Sequence, residues 1–208
     1  MQHREPGVHR FAAEFLGEFL ELLRQLDLDA LERVFQALRH ARERQAMIYL
    51  AGNGGSAATA SHWANDLAKS SLSGRLPIRV ISLADNVSWL TALANDEGYE
   101  HCFSRQLETF ARPGDVLVVI SASGNSRNLI QAVEVARARG LTTMALLGFD
   151  GGELKHLVDL SLLLPTRVGA YGIVESAHAL VCHLLAACLA GDRAEDWSEA
   201  PLWSARGE

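Results

Sequence analysis

The chain has 208 residues, of which 49% are hydrophobic and 21% charged, and its formal net charge at pH 7 is −6. This length suits one α/β domain and is short for two, and the composition excludes a disordered chain. The net negative charge offers no electrostatic basis for binding nucleic acid or an anionic membrane.

The N-terminal residues 1–10 lack the charged-then-apolar pattern of a secretory signal. We also expect no apolar run of about 20 residues, the length that spans a bilayer. A cytoplasmic protein without a membrane segment is therefore expected. The three cysteines are odd in number and show no CxxC spacing, so we interpret Cys102, Cys182 and Cys188 as mostly buried thiols.

Residues 8–44 predict two amphipathic helices, because apolar side chains recur at steps of three and four on both sides of a break at residues 27–29. These apolar stripes either cover the sheet or pack on a second copy of the chain, and we favour the second. We assign residues 1–44 to an N-terminal helical segment for oligomer packing, 45–191 to the main domain and 192–208 to a tail. The tail is either loosely ordered or pinned by its tryptophans to a neighbouring surface.

Five apolar runs of strand length alternate with stretches of helical character. The strands are expected at residues 47–51, 78–83, 116–120, 143–147 and 160–164, and the helices between and after them at 56–70, 87–94, 99–110, 128–139, 153–156 and 172–190. Apolar strands that alternate with helices predict a parallel sheet covered on both faces. The fold class is therefore α/β, a three-layer doubly wound domain in which ligands collect beyond the carboxyl ends of the strands.

The first strand ends in a glycine-rich turn, residues 52–55, and Ser56 opens the helix that follows. Glycines let a ligand approach the main chain, and the first turn of a helix offers unpaired N–H groups, so an anion such as phosphate is the predicted ligand. Further along this helix His62 and Asp66 are four residues apart and share one face. They are suited to a metal or to proton transfer, although a surface hydrogen bond is the ordinary alternative.

A second loop follows the strand at 116–120 and contains Ser121, Ser123, Gly124 and Ser126. Hydroxyls and main-chain N–H groups at the start of a helix can hold a phosphate without a lysine, although an ordinary serine-capped helix has the same residues. Neither loop matches the Walker motif or the dinucleotide fingerprint. Nucleotide hydrolysis and hydride transfer are therefore disfavoured, and a phosphorylated small molecule is expected.

These motifs, GNGGSA and SHWANDL in residues 52–67, NDEGY at 95–99 and SASGNS at 121–126, together resemble the sugar isomerase (SIS) domain. The combination is similar to the phosphoheptose isomerase group, and the resemblance covers nearly the whole chain. It implies a flavodoxin-like fold and the isomerisation of sedoheptulose 7-phosphate to D-glycero-D-manno-heptose 7-phosphate through an enediol. It also implies a homotetramer with active sites at subunit interfaces.

The resemblance implies site residues by position. Ser121, Ser123 and Ser126 would hold the phosphate, Asp66 would act as the base and His183 as the acid. A divalent ion, with Zn²⁺ expected, would be bound by His62, Asp66, Glu175 and His183. The residues implied in substrate binding are Asn53, Gly54, Gly55, Ser56, Asp66, Asn95, Asp96, Ser121, Ala122, Ser123, Ser126 and Glu175.

Three positions depart from the family pattern. Asp66 replaces a glutamate and is one methylene shorter, Glu175 replaces a glutamine, and Gly172 replaces an aspartate. Two histidines and two carboxylates still suit zinc or a similar divalent ion. If Glu175 is not a ligand, it becomes the rival base.

The spacing of Glu175 and His183 bears on how the site is built. They are eight residues apart, about 12 Å of rise on a continuous helix, so one ion could hardly bind both. Either the helix begins after Glu175 or two subunits build each site.

The alternative function is a non-catalytic SIS protein, a sugar-phosphate-binding regulator or an adaptor for a replication initiator; another phosphosugar isomerase is a third possibility. Retention of four ligand-type side chains favours the enzyme.

Overall fold

The computed structural model describes residues 7–70 and 76–191 of the chain, and these residues form a single parallel sheet flanked by helices. The elements, in chain order, are α1 (Val8–Arg24), α2 (Leu28–Glu43), β1 (Met47–Gly52), α3 (Gly55–Ser70), β2 (Arg79–Ser82), α4 (Val87–Asp96), a 3₁₀ turn (Tyr99–His101), α5 (Ser104–Phe110), β3 (Val116–Ser121), α6 (Arg127–Ala138), β4 (Thr142–Leu147), α7 (Leu154–Leu157), β5 (Leu160–Leu163) and α8 (Tyr171–Ala190).

The five strands are all parallel and lie in the order β2-β1-β3-β4-β5. Strand β2 lies on one side of β1, and β3 lies on the other side. β1 and β3 are therefore neighbours although β2 separates them in sequence. In the register between them, Gly52 at the end of β1 lies opposite Ile120 near the end of β3. The predicted five-stranded, doubly wound α/β fold is confirmed, and the loops that follow β1 and β3 meet at one edge of the sheet.

Alternate residues of the central strands enter two separate cores, as expected for a sheet covered on both faces. Ile48 and Leu50 of β1 face a core that also contains Trp63 of α3. Their neighbours Tyr49 and Ala51 face the opposite core, which is closed by α5, α6 and α7. The sheet is therefore the middle layer of a three-layer structure.

The two N-terminal helices differ in what they bury. The Asp27 carboxylate caps α2 by accepting a hydrogen bond from the main-chain N–H of Ala30 at 2.8 Å. The α2 side chains Val34 and Leu38 are buried in the first core, so this helix covers the sheet. In contrast, α1 packs on α8 and leaves Leu16 and Leu20 57% and 53% exposed.

Two predicted features differ from the structure. The helix expected over 99–110 is interrupted by a 3₁₀ turn, in which the Cys102 N–H donates to the Tyr99 carbonyl. The Cys102 carbonyl accepts a hydrogen bond at 2.8 Å from the buried side-chain amide of Gln106. The expectation that no apolar run is long enough to cross a bilayer is wrong. Judged only by its length and composition, α8 is long and apolar enough to do so. Half of this helix is buried inside the structure, as in a core helix. The tail at 192–208 lies outside the described residues.

Candidate active site

The loops that follow β1 and β3 enclose a cavity of about 140 Å³ at the carboxyl edge of the sheet. Both loops lead directly into helices, α3 and α6, so main-chain N–H groups of two helix starts are directed toward this edge. The first turn of α8 closes the cavity. Its lining residues are Asn53, Ser56, Ile120, Ser121, Ala122, Ser123, Ser126, Leu129, Tyr171 and Glu175.

The serine loop is held in shape by its own hydroxyls. The Ser121 hydroxyl accepts from the Gly124 N–H at 3.0 Å, and the Ser123 hydroxyl accepts from the Asn125 N–H at 3.3 Å. Gly124 has φ +66°, and a Cβ there would overlap the Gly151 carbonyl, so only glycine fits. Ser126 occupies the N-cap position of α6, yet its hydroxyl makes no capping hydrogen bond to that helix. Ordinary capping therefore does not account for Ser126, and its hydroxyl can serve a ligand in the cavity.

Asn53, on the opposite wall, is fixed by a network of side-chain hydrogen bonds. Its amide exchanges two hydrogen bonds with the amide of Asn128, at 3.0 and 2.8 Å. The Tyr99 hydroxyl donates a third, at 2.8 Å, to Asn53 Oδ1. Burial raises the pKa of the Tyr99 hydroxyl, which keeps it a donor at neutral pH. Asn53 is thus positioned before any ligand binds.

Glu175 brings a carboxylate to the same cavity. A Cβ placed on Gly55 would overlap this carboxylate, so Glu175 lies directly against the first residue of α3. One turn earlier on α8, the ring of Tyr171 packs edge-on against Phe149 with 5.1 Å between centroids. A side chain at position 55 would displace the Glu175 carboxylate, so Gly55 is what lets the carboxylate lie there.

A second group of polar side chains lies further along α3 and α8. Asp66 Oδ2 is 3.3 Å from His62 Nε2 and 3.1 Å from His183 Nδ1. The two imidazole rings pack edge-on with centroids 5.0 Å apart. One ligand atom from each of the three residues lies within 4.8 Å of the other two. We call this group the His–Asp–His cluster.

The His–Asp–His cluster fits a divalent ion. Ligands at about 2.0–2.1 Å from a tetrahedral zinc lie roughly 3.3 Å from one another, close to the two distances measured to the Asp66 oxygen. Two imidazoles and a carboxylate are donors that zinc commonly takes. The side chains of His62 and His183 are 58% and 57% exposed, so the open side of the cluster faces solvent.

Two buried groups on α8 lie behind these sites. Burial, with a smaller effect of the Asp66 carboxylate, raises the pKa of the Cys182 thiol well above its usual value, so this thiol stays protonated and is a poor metal ligand. His178 is fully buried; the Leu147 backbone acts on its ring, but no contact to either ring nitrogen within the described residues has the geometry of a full hydrogen bond. Burial lowers the pKa of His178 to about 4, so it is neutral at physiological pH.

The structure divides the predicted site residues into three sets. Those of the two loops line the cavity, with Gly54 and Gly55 forming the turn between Asn53 and Ser56, and Glu175 joins them. The other three candidate metal ligands form the His–Asp–His cluster, away from Glu175. Asn95 and Asp96 form neither site within the described chain: they are exposed at the end of α4, where the Asn95 amide donates to the Asp96 carboxylate at 2.7 Å.

Helix α8 runs without a break from Tyr171 through both Glu175 and His183. The alternative in which the helix begins only after Glu175 is therefore wrong. Residues that the sequence did not single out also line or support the cavity, namely Tyr171 and Asn128. Asn128 carries a recognisable signal, a polar residue two positions into a helix whose neighbours Leu129 and Ile130 are apolar, whereas an aromatic residue at a helix start carries none.

A doubly wound sheet with two helix-start loops around one small polar cavity defines an α/β protein whose cavity is suited to an anion. Comparison with known proteins gives the family. Residues 13–148 match the family model of the SIS domain.

Relatives of known name extend the match. A phosphoheptose isomerase from Helicobacter pylori is 38% identical over 176 residues, which cover 85% of this chain and 88% of the relative. Another from Rhodospirillum rubrum is 42% identical over 138 residues, covering 66% of this chain and 72% of the relative. The structure of the Neisseria gonorrhoeae phosphoheptose isomerase superposes with a TM-score of 0.78 at 32% identity, covering 88% of this chain and 96% of that one. The chain belongs to the SIS domain family, in its phosphoheptose isomerase group.

Proposed function

We propose that this protein catalyses the aldose–ketose isomerisation of sedoheptulose 7-phosphate to D-glycero-D-manno-heptose 7-phosphate through an enediol intermediate, in the cytoplasm. The observation that carries the proposal is the convergence of both helix-start loops and Glu175 on one cavity, in a chain similar to phosphoheptose isomerases over 85% of its length. The His–Asp–His cluster adds groups suited to proton transfer.

The cavity is suited to the phosphate end of the substrate. Its volume of about 140 Å³ is smaller than the roughly 300–1,000 Å³ of typical small-molecule pockets. The hydroxyls of Ser121, Ser123 and Ser126 supply donors without a cationic side chain, and the N-termini of α3 and α6 supply main-chain N–H groups. The sugar carbons then extend out of the cavity, past Asn53.

The positions of the cavity and the cluster favour a site shared between subunits. His183 lies eight residues from Glu175 on a continuous helix, roughly 12 Å away. On α3, His62 lies about two turns after the N-terminus of the helix, and this N-terminus faces the cavity. A ligand that extends outward from the N-terminus of α3 therefore points away from His62. We therefore propose that the cluster of one subunit serves the cavity of another in a homotetramer, with the exposed Leu16 and Leu20 of α1 at a subunit contact.

The chemistry assigned to this chain needs no oxidant, because the proton that leaves one carbon is balanced by one that returns to its neighbour. Asp66 removes a proton from C1, the electron pair forms the C1=C2 double bond, and the C2 carbonyl oxygen takes up a proton, which gives the enediol. His183 then supplies the proton that returns to C2 while the O1 hydroxyl loses its proton, which gives the aldehyde. A divalent ion held by His62, Asp66 and His183, with zinc expected, would supply polarisation of the substrate oxygens. Glu175, which lines the cavity, is the rival base.

Mixing two inactive variants tests both the reaction and the shared site. Ser121→Ala/Ser123→Ala removes phosphate donors, and Asp66→Asn removes the base. If each site draws on two subunits, co-assembled variants regain up to about a quarter of wild-type turnover of sedoheptulose 7-phosphate, since sites with two intact halves re-form by random assembly. Mixing Ser121→Ala/Ser123→Ala with Ser126→Ala is the matched control and restores nothing.

Two other outcomes have definite meanings. If the wild type is active but the mixed assemblies regain no turnover, the cavity and the cluster act within one chain. The shared site is then rejected. If the wild type binds the sugar phosphate but never turns it over, with or without zinc, the isomerase assignment is rejected and a non-catalytic sugar-phosphate-binding regulator or adaptor remains.

A further inference from the structure

A groove of about 780 Å³ lies between α2 and α8 and shares no lining residue with the cavity described above, whose volume is about 140 Å³. Its apolar surface comes from leucines, a phenylalanine and a cysteine on the two facing helices. We call it the α2–α8 groove; its lining residues are Leu28, Leu31, Glu32, Phe35, Gln36, Arg39, Arg42, Glu43, Leu76, Leu184, Leu185, Cys188 and Gly191.

We propose that the α2–α8 groove binds the C-terminal segment of the same chain, residues 192–208, with Trp197, Leu202 and Trp203 as its apolar anchors. The first argument is position. Gly191 is the residue immediately before this segment, and it lines the groove itself. The segment therefore starts at the edge of the surface that it is proposed to cover, without a linker to cross.

The second argument is length. The Arg42 guanidinium donates to the Leu189 carbonyl at 3.0 Å, so the C-terminal ends of α2 and α8 are joined and the segment enters the groove there. From Arg42 to Leu28 at the far end is 14 residues of helix, about 21 Å. Trp197 is six residues beyond Gly191, about 20 Å of extended chain, and Trp203 is six further. The anchors thus reach the apolar middle and far end.

The third argument is charge. The segment has five acidic residues and two basic ones, a net charge of −3. The groove lining has two arginines and two glutamates, so the argument rests on one cation, Arg39. Its side chain is 42% exposed, its Nε makes no hydrogen bond among the described residues, and its ion-pair contact with Glu43 is long, at 3.6 Å. This guanidinium therefore has N–H groups left to donate. A carboxylate from the segment, such as Asp196 beside Trp197, is the complementary group.

The chain carries its own reporter for this contact. Cys188 lines the groove, whereas Cys102 and Cys182 are 0% and 2% exposed and should react slowly with thiol reagents. In the full-length protein, Trp197→Ala/Trp203→Ala should raise the maleimide alkylation rate of Cys188, followed by peptide mass spectrometry, by about tenfold or more, because local exposure limits the reaction. The matched control, Ser198→Ala/Ser204→Ala in the same segment, should leave the rate unchanged.

Equal alkylation rates in the wild type and in Trp197→Ala/Trp203→Ala would overturn the proposal. A slow rate in both would mean that another occupant, such as a second copy of the chain, covers the groove; a fast rate in both would mean that it stays open.

Discussion

One oxygen of Asp66 lies 3.1 Å from His183 and 3.3 Å from His62, although His183 is 117 residues away in sequence. An ionised carboxylate oxygen at this position can accept hydrogen bonds from both imidazole rings. Alternatively, if the two facing ring nitrogens carry no proton, the oxygen and both nitrogens can bind the same metal ion. Both states require Asp66 to be charged. The Asp66 carboxylate is therefore the group that joins the two histidines of the His–Asp–His cluster.

Asp66→Asn should lower kcat by roughly 10²–10⁴-fold, the usual contribution of a general base, while changing KM much less because the phosphate loops are intact. Bound zinc, measured by elemental analysis of the purified protein, should fall with it. Lys69→Gln, an exposed change on the same helix, is the control and should keep both properties. Wild-type kcat in Asp66→Asn, with activity lost in Glu175→Gln, would transfer the role of base to Glu175.

Glu175→Gln removes a negative charge beside the cavity proposed to hold phosphate. Relief of that repulsion, worth on the order of 1 kcal/mol, should lower KM for the sugar phosphate by roughly fivefold. Initial-rate kinetics at fixed ionic strength will measure this. Glu134→Gln, an exposed position on α6, should leave KM unaltered. A rise in KM would show that the carboxylate contacts the substrate favourably.

His178 should make the fold sensitive to acid. Its pKa is about 4 in the folded protein against 6.5 for the ordinary side chain, so the unfolded state binds the extra proton between these values. The free energy of unfolding should therefore decrease as pH falls from 6.5 to 4, by up to about 3 kcal/mol from this residue. Urea unfolding at pH 7.0 and 4.5 will measure the loss.

In His178→Leu this contribution should disappear, because leucine does not titrate. His156→Gln changes an exposed histidine and should retain the wild-type dependence. The same loss of stability in His178→Leu as in the wild type would assign acid sensitivity to other groups.

Leu16→Glu/Leu20→Glu should dissociate the proposed oligomer and lower activity with it. Both side chains are more than half exposed in the single chain, so their replacement costs the isolated fold little, whereas charges buried in a subunit contact are strongly unfavourable. Light scattering after size exclusion gives the mass, and the assay is run on the same fractions. Glu14→Gln on α1 is the control, and an unchanged mass in the double variant would place the contact elsewhere.

Much of the fold could be predicted because five apolar runs are separated by glycine-rich turns and helical patterns, and such runs alternate only in parallel α/β sheets. The two helix-start loops around the cavity were predictable for a related reason: glycine and serine at a strand end, before a helix, mark the turn from one element to the next. The proximity of His62 and Asp66 followed from helical spacing alone.

Contacts between distant parts of the chain could not be predicted in this way. That Glu175 lies against Gly55 rather than beside His183 depends on how α8 packs on α3, and neither residue encodes this alone. The interruption after His101 involves the buried side chain of Gln106, whose amide donates to the Cys102 carbonyl, and this contact forms only in the finished core. The membrane-spanning length of α8 was missed because polar residues interrupt its apolar sequence, although the helix is apolar on average.

The reciprocal amide pair of Asn53 and Asn128 limits how this family member can change over evolution. Asn53 Oδ1 accepts two hydrogen bonds while its Nδ2 donates one. A carboxylate at position 53 would leave its second oxygen facing the Asn128 acceptor, and a carboxylate at 128 would do the same to Asn53. Neither position can become acidic unless the other changes in the same lineage, so the two sites should be inherited as a unit although 75 residues separate them.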